Sequence, residues 1–80
     1  MTTHYVQCEL SRHRLVHVTK QVTWLPERFA RVGGYVKLKE EGGWQDGWRV
    51  TAAYPEARLS HEVLMERSQD YKRTRAASDI

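Results

Sequence analysis

The chain has 80 residues, 40% hydrophobic and 29% charged, with a net charge of +3, the composition of one globular domain rather than a disordered or fibrous chain. Its longest apolar runs are only a few residues, too short for a transmembrane helix, and the start MTTHY lacks the basic and apolar segments of a signal peptide. The lone Cys8 has no partner for an internal disulfide, so a cytoplasmic setting is expected.

Val6, Cys8 and Leu10 alternate with Gln7 and Glu9, which predicts a strand over 5–10 with Cys8 as a small buried hydrophobe. The Val- and Thr-rich segment 15–24 predicts a second strand, with Val16, Val18, Val22 and Trp24 on one face and Lys20 interrupting it as a bulge or blunted edge. Over 25–32 the period changes. Pro26 suits a first helical position and Phe29 and Val32 sit three apart, so a short helical turn is expected there, stopped by Gly33-Gly34. Val36 and Leu38 then alternate with Lys37 and Lys39 in a third strand, and Trp48, Val50, Ala52 and Tyr54 share one side of a fourth that Pro55 ends.

The stretch GGWQDGW joins these last two strands. Asp46-Gly47 has the composition of a two-residue hairpin turn, but direct pairing from it would set Val50, Ala52 and Tyr54 on the face of Lys39. A glycine bulge at Gly42-Gly43 repairs the parity and sets Leu38 opposite Tyr54. In that register Trp48 belongs to the core. Trp44 points outward beside Arg49, Lys37, Lys39 and Thr51, where it is either a contact residue or covered by the C-terminal helix through Leu64 and Tyr71.

From Glu56 onward helix formers dominate. Ser60 is the expected N-cap of a helix over 60–75, Leu59 and Leu64 form its staple, and Val63, Leu64, Ser68 and Tyr71 form its apolar stripe. Glu62, Glu66 and Asp70 lie on another face, and Lys72, Arg73 and Arg75 follow at the end, the order that the helix dipole prefers. The expected fold is therefore α+β: a small antiparallel sheet or partly open SH3-like barrel of about four strands over 4–54, a helical turn after the second strand, and a C-terminal helix. A single domain over 1–75 and a frayed tail over 76–80 complete the organisation.

No catalytic constellation emerges. His13 and His17, four apart on one strand, would be separated by roughly 13 Å, and no metal-binding spacing supports His4 or His61 as a third ligand. Cys8 and the serines stand in no nucleophile motif, and Glu40 and Glu41 point to opposite faces of a strand. No metal, no cofactor and no enzyme activity are expected. The basic and aromatic residues are more informative: Arg12, Arg14 and Lys20 face Glu9 alone in the first 24 residues, a pattern suited to phosphate contacts.

The segment Trp24-Leu25-Pro26-Glu27-Arg28-Phe29-Ala30-Arg31-Val32-Gly33, followed by Val36-Lys37-Leu38-Lys39 and Asp46-Gly47-Trp48-Arg49-Val50, resembles short uncharacterised bacteriophage proteins with a W-[IL]-P-E-x-F-A-x-V-G segment and a G-W-x-V strand. The resemblance covers the middle third of the chain and carries no activity. It implies a phage accessory factor acting in the host cytoplasm. Three functions fit: a non-enzymatic module that binds a host protein or complex through Trp44, Arg49, Glu62, Glu66 and Asp70; a nucleic-acid-binding module using Arg12, Arg14, Lys20, Lys37, Lys39 and Arg49; or a virion component. A continuous positive stripe across the strands favours nucleic acid, and an apolar patch with mixed charge favours protein.

Overall fold

A computed structural model of the chain describes residues 3–67 and 73–76. The elements are β1 (His4–Arg14), β2 (His17–Pro26), a 3-10 turn (Glu27–Phe29), β3 (Tyr35–Glu40), β4 (Gly43–Ser60), α1 (His61–Arg67) and β5 (Thr74–Ala76). They form a small α+β domain. Its five strands make one open antiparallel sheet in the order β2-β1-β4-β3-β5, not a closed barrel.

The inner face is set by β1, whose Val6, Cys8 and Leu10 are buried with Leu25, Val36, Leu38, Trp48 and Val50. Phe29 and Ala30, in and after the 3-10 turn, pack against this cluster. The sheet curls around it, so that Gln21 Nε2 of β2 reaches Glu40 Oε1 of β3 at 3.5 Å although the two strands are not neighbours. Pairing of Val6 with Leu25 and Cys8 with Thr23 fixes the register of β2. That register buries Leu25 and Thr23 and leaves Val18 and Val22 about half exposed, reversing the expected face. The β1 row wins because it is uninterrupted and the 3-10 turn covers it. Lys20 interrupts nothing, since it belongs to an outward face, and Leu15-Val16 form the hairpin turn between Arg14 and His17.

Turn and bulge exchange places in GGWQDGW. Glu40 pairs with Gly43 and Lys39 with Trp44, so the turn is Glu41-Gly42. The irregularity lies further on, between Leu38 opposite Gln45 and Val36 opposite Trp48, and takes up Asp46-Gly47. Leu38 therefore faces Gln45 rather than Tyr54. Gly47, at φ 80°, occupies the left-handed region that a bulge uses and that L side chains avoid. Because the strand pair still contains a bulge, parity survives: Trp48 is buried and Trp44 turns outward.

Pro55 does not end β4. It sits where pairing with β1 skips from Tyr54 opposite Gln7 to Leu59 opposite Tyr5, an irregularity that tolerates a residue without an N–H. Beyond it, the Val63 N–H donates to Ser60 Oγ at 3.4 Å, the expected N-cap. The helix is shorter than expected. It is described only as far as Arg67, and Thr74–Ala76 form β5 against β3 instead of a helical end. A three-rung pairing with Val36, Lys37 and Leu38 satisfies the open edge of β3, and this outweighs the helix propensity of a short basic segment. Ser68, Asp70, Tyr71 and Lys72 lie outside the described residues. Among those described, no helix is long and apolar enough to cross a membrane.

Burial pushes the Cys8 thiol up from 9.0 to about 11. A raised value in the folded state stabilises the fold fully below the unfolded value and stops doing so as pH rises through the folded one. Urea stability is therefore expected to fall between pH 9 and 11, and Cys8→Ala to remove that part of the slope. The two-unit difference in thiolate population alone slows labelling of native Cys8 at pH 8 by about 100-fold relative to the unfolded chain. Labelling at equal rates in the two states would contradict the burial. Tyr54, which donates its hydroxyl to Glu9, is shifted upward by that hydrogen bond first and by desolvation second, so it adds to the fall in stability at higher pH.

Candidate nucleic-acid interface

The outer face is built by alternation against the core. Arg49 lies between buried Trp48 and Val50, and Tyr35 precedes buried Val36. Both therefore point away from the inner cluster. Register then joins four strands into one row: Lys20 of β2 pairs with Ser11 of β1, Ser11 with Arg49 of β4, and Arg49 with Tyr35 of β3. The next outward residue of β3, Lys37, pairs with Arg75 of β5, and the one after it, Lys39, pairs with Trp44. From β2 to β5 this band spans about 19 Å at the usual strand spacing.

Two aromatic side chains sit in the band. Tyr35 is 54% exposed beside Arg49. Trp44 is half-buried, with the Arg75 guanidinium carbon 4.3 Å from its ring centroid and Lys39 Nζ at 5.9 Å. Its cations are thus Arg75 and Lys39 rather than Arg49, whose guanidinium extends toward Gly33. The described part of the helix does not cover Trp44. α1 follows the Ser60 end of β4, where His61 Nδ1 lies 3.3 Å from the Tyr5 hydroxyl, while Trp44 is at the strand's beginning.

Two acidic groups are engaged away from the band and a third borders it. Asp46 is occupied by Arg12, whose Nε donates to the Asp46 carbonyl at 2.8 Å while Nη2 lies 3.8 Å from Oδ1. Glu40 is drawn to the inner side by Gln21. Glu9 lies on the outer face itself, two residues before Ser11, where it lines the same hollow as Ser11, Lys20 and Thr51 and accepts from the Tyr54 hydroxyl. Lys20, Arg49, Lys37, Lys39 and Arg75 therefore give the outer face a positive bias, interrupted by Glu9 beside Lys20.

Of the cations expected to contact nucleic acid, Lys20, Lys37, Lys39 and Arg49 share this face. Arg12 does not: it pairs with Trp48 on the inner side and is tied to Asp46. Arg14 pairs with His17 at the hairpin end. Arg75 was hidden in the sequence by its helix-forming surroundings, and the Thr74-Arg75-Ala76 alternation is too short to signal a strand. The protein-binding set is not brought together. Trp44 and Arg49 lie on the outer face, Glu62 and Glu66 are exposed on α1 beyond the other end of β4, and Asp70 lies outside the described residues. His13 and His17 occupy facing strands of a hairpin rather than one strand, opposite Val18 and Arg14. Among the described residues no group of three or more His, Cys, Asp or Glu is arranged to hold a metal ion. No protein-family model, curated protein or solved structure matches this chain.

Proposed function

We propose that the protein is a non-enzymatic module that binds single-stranded nucleic acid across the outer face of its sheet. The observation that carries this reading is the register row Lys20, Ser11, Arg49, Tyr35, continued by Lys37 with Arg75 and Lys39 with Trp44. Cations spaced across the outer face of a curled sheet suit a phosphate backbone that bends over it. An exposed tyrosine among them offers a platform for a base, which only an unpaired, unstacked strand can present. The test is fluorescence anisotropy with a labelled oligonucleotide of about 16 nucleotides. With about four phosphates neutralised, the slope of log affinity against log salt is near −3, a loss of about 50-fold between 50 and 200 mM salt. No binding at low salt, or binding indifferent to salt, sinks the reading.

A second reading, a phage accessory module that binds a host protein, is favoured by one observation. β2 is an edge of the sheet, with Val18 and Val22 about half exposed beside its free side. Affinity purification from host lysate separates the two: a protein partner that survives nuclease treatment supports the second reading, and one lost with it supports the first.

A further inference from the structure

The β1–β2 hairpin ends in a tip that the fold does not use. Pairing of β1 with β4 stops at Arg12 opposite Trp48, whereas pairing with β2 continues to Arg14 opposite His17. The last rungs and the turn thus stand beyond the β1–β4 ladder. At the turn Leu15 is fully exposed and Val16 is 90% exposed. Leu15 also holds φ 52°, a left-handed conformation that glycine adopts freely and leucine does not. Turn geometry therefore gives no reason for leucine, and burial gives none either.

The surroundings specify the partner's charge. Arg14 closes the last rung opposite His17, with no Asp or Glu between Leu10 and Pro26, while Arg12 is tied to Asp46 and Glu9 borders Lys20 further down the hairpin. The strand directions also set the tip at the same end of the sheet as Lys39 and Trp44, because β1 ends where β4 begins and β3 ends. A strand following the outer face in that direction leaves the sheet beside the tip.

We infer that Leu15 and Val16 pack on the terminal base pair where a single strand meets a duplex, making a single-strand–duplex junction the preferred ligand. This inference rests on the sheet-face reading. Aliphatic side chains take no phosphate, but they match the flat apolar face of a base pair that has lost its stacking neighbour. Arg14, on the last rung before the turn opposite His17, supplies a cation where two phosphate backbones part.

The test uses three labelled probes, a single strand, a blunt duplex and a duplex with a single-stranded overhang, against the wild type and Leu15→Gly/Val16→Ser. Glycine keeps the turn, because it accepts the left-handed φ. The wild type is expected to bind the junction about tenfold more tightly than the single strand, the size of one stacking contact, and the variant to bind both with the wild-type single-strand affinity. Equal wild-type affinities, or a preference unchanged in the variant, overturn the inference while leaving the sheet-face reading intact. Failure of the wild type to bind any single strand brings down both. Flotation of the wild type but not the variant with phosphatidylserine vesicles assigns the tip to an anionic lipid surface and overturns the junction.

Discussion

Trp48→Ala is expected to lose about 3–5 kcal/mol of stability, whereas Trp44→Ala, four residues away, loses less than about 1 kcal/mol. The difference follows from parity. Trp48 is 3% exposed and packs in the inner cluster with Leu10, Val36 and Val50, so truncation removes a large buried surface and leaves a cavity. Trp44 is on the outer face, where Arg75 and Lys39 cover part of its ring without enclosing it. A domain of this length has roughly 4–12 kcal/mol to lose, so Trp48→Ala removes at least about a quarter of it. Trp48→Phe separates ring burial from polarity. It keeps most of the apolar surface and removes Nε1, which is buried without a hydrogen-bond partner among the described residues, so its cost is expected to be under about 1.5 kcal/mol. Urea unfolding of the three variants measures this. Equal losses for Trp44→Ala and Trp48→Ala would show that parity does not divide the two tryptophans.

Tyr35→Ala is expected to weaken single-strand binding by about 5- to 100-fold, the range for removing one stacked base, with little change in stability because the side chain is 54% exposed. Tyr35→Phe keeps the ring and restores most of the affinity. The salt slope distinguishes stacking from charge: Tyr35→Ala leaves it unchanged, whereas Arg49→Ala reduces its magnitude by about 0.7, one phosphate contact on a single strand. Anisotropy titrations at several salt concentrations give affinity and slope together. A Tyr35→Ala protein that binds as the wild type does would remove the aromatic platform from the mechanism.

The fold was legible in the sequence wherever one face of a strand is strictly apolar. Val6, Cys8 and Leu10, then Val36 and Leu38, then Trp48 and Val50 are all buried, but the face expected to continue through Ala52 and Tyr54 switches after Val50, where the register with β1 shifts and Ala53 packs on the core instead. The sequence was misleading in β2, where valines occupy the outer face and Thr23 helps to fill the inner one. Composition there points one way and pairing with β1 decides the other. GGWQDGW offered two glycine-containing positions for one turn and one bulge, and local turn preference chose the wrong order. β5 was out of reach, since its three residues become a strand only by completing the edge of β3. The candidate site shared these limits. Lys37, Lys39 and Trp44 were visible by alternation, but the row joining Lys20 to Arg49 depends on pairing across β1, and Arg75 depends on β5.

The bulge at Asp46-Gly47 also determines where the chain length of this protein is free to change. A residue lost or gained at the Glu41-Gly42 turn alters only the link between two strand ends, which a hairpin absorbs. A residue lost at Gly47 has a different consequence: it shifts everything between the bulge and the Glu41-Gly42 turn by one position relative to Arg49 and Val50. Trp44 would then turn inward and Gln45 outward, and the Asp46 carbonyl would no longer meet Arg12. Insertions and deletions among relatives of this chain should therefore accumulate at residues 41–42 and be purged at 46–47, which gives a lineage record of the fold that substitutions alone would not carry.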